Sequence, residues 1–253
     1  MILLVFEGNE REPNLYKTIE RLYFPRSNNN IICSFGNNIY TLYKEMIELD
    51  GDGDIVSVLK EKLAERDDHT LDGMKSSDFS EIFLFFDYDF QNSQLTLEEI
   101  NTRMCKMLAL FNEETESGKL YVNYPMIESI RYTKELPDEN YNHYVVSREH
   151  CSDFKRIANE FSYYASLDHI LFKDGEKPTK ERYMKIHDNW EHLIKMNVCK
   201  ANYITNKKNE MPKEKIGINQ MAIFEAQKYK YVLVNQSVAI LNSFPIFVFE
   251  YFK

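Results

Sequence analysis

The chain has 253 residues, of which 43% are hydrophobic and 14% aromatic, and this apolar content is enough for a packed core. Global disorder is therefore excluded. The formal net charge of −9 argues against a surface that binds polyanions indiscriminately, although metal ions or a local basic strip can still hold phosphates. The four cysteines are widely spaced and form no C-x-x-C pair, which suits a reducing cytosol and is not typical of a zinc ribbon.

No targeting or membrane segment is recognisable in the sequence. The opening apolar run is too short for a secretory signal and has no basic leader. No apolar segment approaches the length that spans a bilayer. We therefore expect a cytoplasmic protein that makes no membrane contact.

The first part of the chain alternates strand-like and helix-like segments. Apolar runs bounded by turn-forming or charged residues predict four buried strands, at Ile2–Phe6, Ile31–Phe35, Ile82–Phe86 and Lys119–Val122. Helical spacing and capping signals predict helices between them: one from near Pro13, two that flank Asp50–Asp54, and one opened by Thr96-Leu97-Glu98-Glu99. This alternation predicts an α/β fold with a mainly parallel sheet flanked by helices.

After about residue 135 the pattern changes to longer helical stretches separated by polar loops. We predict helices near Ser152–Ser166, Thr179–Lys200 and Ile218–Tyr229, with Trp190 in the core. The apolar tail Phe244–Phe252 is interrupted by a proline and a glutamate, which predicts a terminal strand or a docked segment. The sequence thus predicts an α/β domain over residues 1–135 and a mainly helical C-terminal region over residues 136–253 that packs on it.

Acidic residues directly follow two of the predicted strands. Glu7 comes after the first strand, with Glu12 close behind, and Asp87 and Asp89 come after the third. Ligands collect beyond the carboxyl ends of parallel strands, so these side chains converge if the two strands are neighbours. Each close pair of carboxylates then repels by about 4 kcal/mol at 4 Å and an effective dielectric constant of 20. A bound divalent cation relieves that repulsion, and oxygen-only ligands suit Mg²⁺ or Mn²⁺ rather than zinc.

Each acidic element also has an ordinary explanation. Glu7 can be a charge favoured by the N-terminal end of a helix dipole, and Asp87-x-Asp89 can be a turn with an Asx cap. An Asp-x-Asp motif after an apolar strand also resembles the haloacid-dehalogenase phosphatases. In that motif a Thr or Val stands where this chain has Gln91, and the match leaves Glu7 unexplained.

A second acidic segment resembles an EF-hand loop only in part. Asp50, Asp52, Asp54 and Glu61 occupy positions where such a loop has ligands, but Ile55 stands where it needs a glycine. A turn that caps the next helix is the better explanation.

The densest basic strip lies in the second half of the chain and contains Lys200, Lys207, Lys208, Lys213 and Lys215. It is either a solvated loop or a set of phosphate contacts that hold a substrate. The sequence has no P-loop G-x-x-x-x-G-K-[ST], so any ATPase activity must come from another chain.

The acidic elements together resemble a TOPRIM domain, the fold shared by topoisomerases, DnaG-type primases and OLD-type nucleases. The string Phe6-Glu7-Gly8-Asn9-Glu10-Arg11-Glu12-Pro13-Asn14 is similar to the E-G-x-x-x-E-P-N opening of RloB-type proteins, and the resemblance covers roughly residues 1–130. Ile127-Glu128-Ser129, after the fourth strand, matches a further glutamate of OLD-type proteins. Many of those proteins have a serine where this chain has Met126.

The resemblance implies a Mg²⁺-dependent nuclease that cleaves DNA or RNA, tRNA included, as an effector of antiphage defence. One ion would be held by Glu7, Asp87 and Asp89, and Glu12 and Glu128 would help to hold a second. The family also places a lysine in the later helical part, for which Lys200 is our candidate and Lys195 its rival. An ABC-type ATPase is the expected protein partner, and a homo-oligomer is left open.

Two other classes of function remain open from the sequence. A primase- or topoisomerase-type enzyme would use the same acids, although the chain is short for the strand-gate domains of a topoisomerase and shows no zinc-binding motif. A non-catalytic partner-binding protein would use the acids only to hold a structural ion.

Overall fold

The computed structural model describes residues 1–24, 30–48, 54–214 and 219–252. The main sheet consists of β1 (Ile2–Phe6), β2 (Asn30–Ser34), β3 (Glu81–Asp87), β4 (Asn112–Glu113) and β5 (Gly118–Asn123). Its strand order is β2-β1-β3-β5-β4. The first three and β5 run parallel, and β4 pairs antiparallel with β5 at one edge. The described chain is therefore α/β with a mainly parallel sheet, as the sequence predicts.

The two central strands form from apolar runs that are covered on both faces. Every residue of β1 and β3 after the first is buried. The strands pair in parallel, with Ile2 opposite Glu81 and Phe6 opposite Phe85. The four predicted strands are confirmed to within one residue at each end. The short strand β4 was not predicted, because two residues leave no periodic signal.

Helices pack on the sheet, and one of them begins with the side-chain cap that the sequence predicts. The helices of the described residues are α1 (Arg11–Tyr23), α2 (Ile39–Tyr43), α3 (Ile55–Ala64), α4 (Leu97–Leu110), α5 (Arg148–Cys151), α6 (Phe154–Phe161), α7 (Lys180–Asn206), α8 (Gln220–Gln227), α9 (Leu233–Asn235) and α10 (Ser243–Phe252). The predicted capping box of α4 is confirmed, because the Thr96 hydroxyl accepts from the Glu99 amide at 3.2 Å and the Glu99 carboxylate accepts from the Thr96 amide at 2.8 Å.

The acidic segment before α3 acts as a helix cap where it is described. The Asp54 carboxylate accepts from the Val56 amide at 3.1 Å, at the N-terminus of α3. This agrees with the capping interpretation rather than an EF-hand. Asp50 and Asp52 lie outside the described residues.

The second half is mainly helical, with differences in detail from the prediction. It also contains a two-stranded antiparallel sheet of β6 (Val145–Ser147) and β7 (Ser237–Ala239). The helix expected over Ser152–Ser166 ends earlier, at Phe161, and α7 continues past Lys200 to Asn206. Ile218, the expected start of the next helix, lies outside the described residues.

Trp190 belongs to the core, as predicted. Its side chain is fully buried, and its indole nitrogen donates to the carbonyl oxygen of Ile170 at 2.8 Å. None of the helices in residues 1–24, 30–48, 54–214 and 219–252 combines the length and the hydropathy of a membrane span.

The apolar tail is a helix, so the expectation of a terminal strand was wrong, while that of a docked segment was right. Pro245 is the third residue of α10, and a proline in the first turn loses no intrahelical hydrogen bond. The Phe244 ring stacks on Phe85 at a centroid distance of 4.5 Å and on Phe6 at 6.0 Å. A helix that packs on the sheet and on α7 at once can be apolar nearly all round, which conceals its periodicity.

Replacing Phe244 by alanine tests the docking of α10 on the sheet. Phe244 is fully buried, so we expect Phe244→Ala to lower the free energy of unfolding by about 3–5 kcal/mol. The matched control is Tyr229→Ala, whose side chain is 60% exposed, and it should change stability by no more than about 0.5 kcal/mol. Urea unfolding of the three proteins measures both values. Equal losses in the two variants would contradict the packing of α10.

Candidate metal centre

Glu7 and Asp87 leave neighbouring parallel strands at the same edge of the sheet. The backbone of Glu7 is fixed from both sides, because its amide donates to Phe85 O at 3.1 Å and its carbonyl accepts from the Gly36 amide at 2.9 Å. The Glu7 carboxylate then accepts from the Asp87 amide at 3.0 Å. The predicted convergence of these two acids is thereby seen directly.

Glu12 reaches the same edge from the first turn of α1. Its carboxylate turns back and accepts from the Gly8 amide at 3.1 Å. A Cβ atom at position 8 would lie 2.8 Å from one Glu12 carboxylate oxygen and 3.0 Å from the other. Glycine at position 8 therefore gives the Glu12 carboxylate the room to approach the backbone.

Asp89 lies just beyond β3, in a loop that other side chains hold in place. Its backbone is left-handed, with φ of 48°, which aspartate tolerates better than most residues. The Gln91 amide nitrogen donates to the Asp89 carboxylate at 3.0 Å. The guanidinium of Arg148 donates to the carbonyl oxygens of Phe90 at 3.0 Å and Asn92 at 3.0 Å, so it ties this loop to the second half of the chain.

Asn123 positions the carboxylate of Asp87. The two residues are opposite each other in the pairing of β3 with β5. The Asn123 amide nitrogen donates to the Asp87 carboxylate at 3.0 Å, and the Asn123 amide oxygen accepts from the Ser243 amide at 3.0 Å and hydroxyl at 2.8 Å. Asn123 and Ser243 are fully buried, so the start of α10 fixes the side chain that holds Asp87.

Glu128 approaches from the turn that follows β5. It lies in the short 3₁₀ helix Ile127–Arg131 and is largely buried. The Arg11 guanidinium forms an ion pair with its carboxylate. Both Arg11 and Glu128 influence the pKa of buried Arg131, so the three side chains are close. The structure thus brings all five predicted acids to one end of the sheet: Glu7, Glu12, Asp87, Asp89 and Glu128.

Burial and mutual repulsion make the negative charge of this cluster unfavourable. Desolvation is the largest cause that raises the pKa of Glu7 well above its usual range, and the charges of Asp89, Glu12 and Glu128 raise it further. Desolvation and the charge of Glu7 likewise raise the pKa of Asp87. Burial raises the pKa of Asp89 to about 6, and burial also raises that of Glu12. These are the carboxyl groups whose charge a cation would stabilise most.

The donor chemistry of the cluster suits a hard divalent cation, but its geometry is not that of a closed metal site. Within the described residues, no three His, Cys, Asp or Glu side chains are arranged to hold a metal ion. The carboxylates instead accept hydrogen bonds from Asp87 N, Gly8 N and Asn123. The amide oxygen of Gln91 is buried without a hydrogen-bond partner among the described residues, so a hydrogen-bond acceptor beside Asp89 is unsatisfied.

A cavity of about 380 Å³ opens beside the acidic cluster. Glu12 and Glu128 lie in its wall together with the basic residues Arg11 and Lys155. Leu167 and Leu171 provide the apolar part of the lining. A small charged group therefore has access to Glu12 and Glu128 from this side.

The candidate lysines are elsewhere. Lys200 is fully buried, and its ammonium donates to the carbonyl oxygens of Tyr141 at 2.9 Å and Tyr144 at 2.7 Å. Burial holds its pKa well below the usual range. Lys195 lines a separate cavity of about 320 Å³ that also contains Asp138. Neither lysine lines the cavity beside the acids, and a catalytic role for Lys200 stays a prediction.

The basic strip beyond Lys200 is exposed where it is described. Lys207, Lys208 and Lys213 are exposed, and Lys207 ends α7 in a left-handed conformation. Lys215 lies outside the described residues.

The sequence patterns did not predict a role at this site for four side chains: Arg11, Asn123, Arg148 and Lys155. Asn123 gave a signal, because it follows a buried strand in the same way as Glu7 and Asp87. The others act through contacts with residues far along the chain, and no local pattern indicates such contacts.

Comparison of the chain with protein-family models, with curated proteins and with solved structures finds no match. The functional argument therefore depends on the residues of the site.

The raised pKa of Asp89 predicts how stability depends on pH. A folded-state pKa of about 6, above the ordinary value near 4, means that folding is favoured by protonation and is penalised as pH rises between these values. Asp89→Asn removes this penalty, so the variant should gain stability relative to the wild type as pH increases from 4 to 7. Urea unfolding across this range measures the difference. The exposed Glu139→Gln provides the control, and a flat difference for Asp89→Asn would contradict the burial of this carboxyl group.

Proposed function

We propose that this chain is a divalent-metal-dependent nuclease that hydrolyses phosphodiester bonds. The observation that carries the proposal is the meeting of five carboxylates, from four separate segments, at the carboxyl ends of β1, β3 and β5. The raised pKa values of Glu7, Glu12, Asp87 and Asp89, and the cavity beside the cluster, are typical of a site that binds charge rather than of a surface turn.

The residues divide into two ligand groups. Glu7, Asp87 and Asp89 would hold one ion, and Glu12 and Glu128 would contribute to a second, with Mg²⁺ or Mn²⁺ preferred because every donor is an oxygen. Bound there, such ions supply an activated water nucleophile and stabilise the leaving oxygen of a phosphodiester.

The side chains around the acids serve to place and balance their charges. Asn123 orients the Asp87 carboxylate, and Gln91 orients that of Asp89. The Arg11 guanidinium neutralises Glu128. Arg11 contacts only one Glu128 carboxylate oxygen, so the other oxygen could serve as a metal ligand. Arg11 also lines the cavity, where its guanidinium could contact a substrate phosphate.

The same placement supports the TOPRIM resemblance. A glutamate follows β1, an Asp-x-Asp motif follows the adjacent parallel strand β3, and Glu128 follows β5. On this proposal the chain is an OLD- or RloB-type effector of antiphage defence. The ABC-type ATPase partner follows from the resemblance alone and stays a prediction, and self-association stays open.

A non-catalytic role is the second candidate, and one observation favours it. The acids are occupied by backbone amides and by Arg11, and within the described residues they do not form a closed three-ligand set. In that case the cluster would hold at most a structural ion, and neutralising it would reduce stability.

The double variant Asp87→Asn/Asp89→Asn separates the two roles. Amides keep the shape of the acids and remove their charge, and asparagine tolerates the left-handed backbone at position 89. We expect Mg²⁺- or Mn²⁺-dependent cleavage of plasmid DNA, single-stranded DNA or total tRNA by the wild type and at least a 10²-fold loss in the variant. The melting temperature of the metal-free variant should equal or exceed that of the wild type, because a repulsion is removed.

The matched control is Asp67→Asn/Asp72→Asn, two exposed acids whose carboxylates contact His69 rather than a member of the cluster. It should cleave as the wild type does. Equal activity of the cluster variant and the wild type would refute the proposal. Absence of cleavage by the wild type, with a lower melting temperature in the cluster variant, would favour the structural role.

A further inference from the structure

The cavity beside the acids adjoins a second one along α1. The second cavity has a volume of about 410 Å³ and shares Asn14 with the first. The consecutive residues Leu171 and Phe172 line one cavity each. We call these two adjoining cavities, which follow α1 from Arg11 to Phe24, the α1 groove.

One face of α1 forms a wall of this groove. The lining residues of α1 recur at the three- to four-residue spacing that aligns side chains on one side of a helix. They are Arg11, Asn14, Lys17 or Thr18, and Arg21. The opposite wall is the segment of residues 167–175, which precedes α7.

The opposite wall is fixed rather than loose. The Arg182 guanidinium donates to the carbonyl oxygens of Asp168 at 2.7 Å and Leu171 at 3.0 Å. The Phe172 amide donates to the Thr18 hydroxyl of α1 at 3.1 Å, which joins the two walls directly. The groove is therefore preformed, and a ligand does not have to order it.

The charge of the α1 groove contrasts with that of the whole chain. The chain carries a formal charge of −9, whereas in the groove the basic residues Arg11, Lys17, Arg21, Lys155 and Lys173 balance an equal number of acids, two of which are Glu12 and Glu128 of the cluster. The acidic residues Glu10, Glu20 and Asp174 also line it, and the Glu20 carboxylate accepts a hydrogen bond from Asn30 at 2.8 Å. Lys17, Lys155 and Lys173 are exposed and form no ion pair with a described residue, so their charges are available to an anion.

The groove also has flat unsaturated groups. The Arg21 guanidinium lies over the Phe172 ring at 4.5 Å from its centroid, and Phe172 also stacks on Tyr183 at 5.8 Å, so a base would stack on the outer face of the guanidinium rather than on this ring. Arg21, Phe172 and Phe24 all line the second cavity. Aromatic rings and guanidinium planes are the groups on which unpaired bases stack. A single-strand binding site combines positive charges along the path of the phosphate backbone with flat side chains on which bases stack.

We infer that the α1 groove binds single-stranded polynucleotide and leads it to the acidic cluster. The delivery of the strand to the acids rests on the proposed nuclease function, whereas the binding of the strand rests on the groove residues alone. Proteins bind duplex DNA mainly through elements that protrude into the DNA grooves, whereas the α1 groove is a concave surface. The phosphates would follow Lys17, Lys173 and Lys155, with one phosphate near Arg11 at the acids.

Fluorescence anisotropy with labelled oligonucleotides tests this inference. The oligonucleotides have about 20 nucleotides, which is longer than a typical single-strand site. EDTA in the buffer suppresses metal-dependent cleavage. The probes are oligo(dT), oligo(U) and a DNA duplex of equal length. The wild type should bind at least one single strand at least about tenfold more tightly than the duplex. The two single strands then show whether DNA or RNA is preferred.

The variant Lys17→Glu/Lys173→Glu should weaken single-strand binding at least about tenfold and reduce the slope of log K against log salt by about 0.7 for each phosphate that the protein no longer neutralises. Its matched control, Lys208→Glu/Lys213→Glu, reverses two exposed charges on the basic strip beyond α7 and should bind as the wild type does. Circular dichroism confirms that both variants are folded.

Three outcomes would overturn the inference: no single-strand binding by the wild type, equal affinity for single strand and duplex, or a reduction of affinity in the control as large as in the groove variant. Binding does not require cleavage in this assay. Groove-dependent binding by a protein that cleaves no nucleic acid would therefore refute the nuclease proposal and support the groove.

Discussion

The repulsion among carboxylates at one partly buried edge of the sheet is the constraint on which the rest of the site depends. Glu7 and Asp87 extend from adjacent parallel strands, and desolvation is the main cause of their raised pKa values. The protein relieves this repulsion with hydrogen bonds from the Asp87 and Gly8 amides and with the ion pair between Arg11 and Glu128. A divalent cation would relieve it more completely, because it attracts all the charges at once.

The second half of the chain contributes directly to this edge. Ser243, at the start of α10, holds Asn123, which in turn holds Asp87. Arg148 fixes the loop that carries Asp89. The segment before α7 closes the groove that opens at the acids. The α/β part and the helical part therefore build the candidate site together, and a change in either one can disturb it.

Sequence patterns revealed the site in so far as it depends on strands and their ends. Runs of five apolar residues identified β1 and β3, and the acids that follow them were found by position alone. The helix α10 was not predicted because its aromatic residues lie on all sides of the helix and leave no helical period. The strands β6 and β7 were not predicted because three residues are too few to show a strand period. The pairing of Arg11 with Glu128 joins residues 117 positions apart, and local patterns contain no information about such contacts.

Calorimetric titration with Mn²⁺ tests most directly whether the acidic cluster binds metal. The account predicts saturable binding of one or two ions by the wild-type protein, a strong loss of affinity in Glu7→Gln, and unchanged binding in the exposed Glu139→Gln. Glu7 is the decisive position because Asp89, Glu12 and Glu128 all act on its charge. Absence of binding at millimolar Mn²⁺, or equal binding by the wild type and Glu7→Gln, would contradict the account.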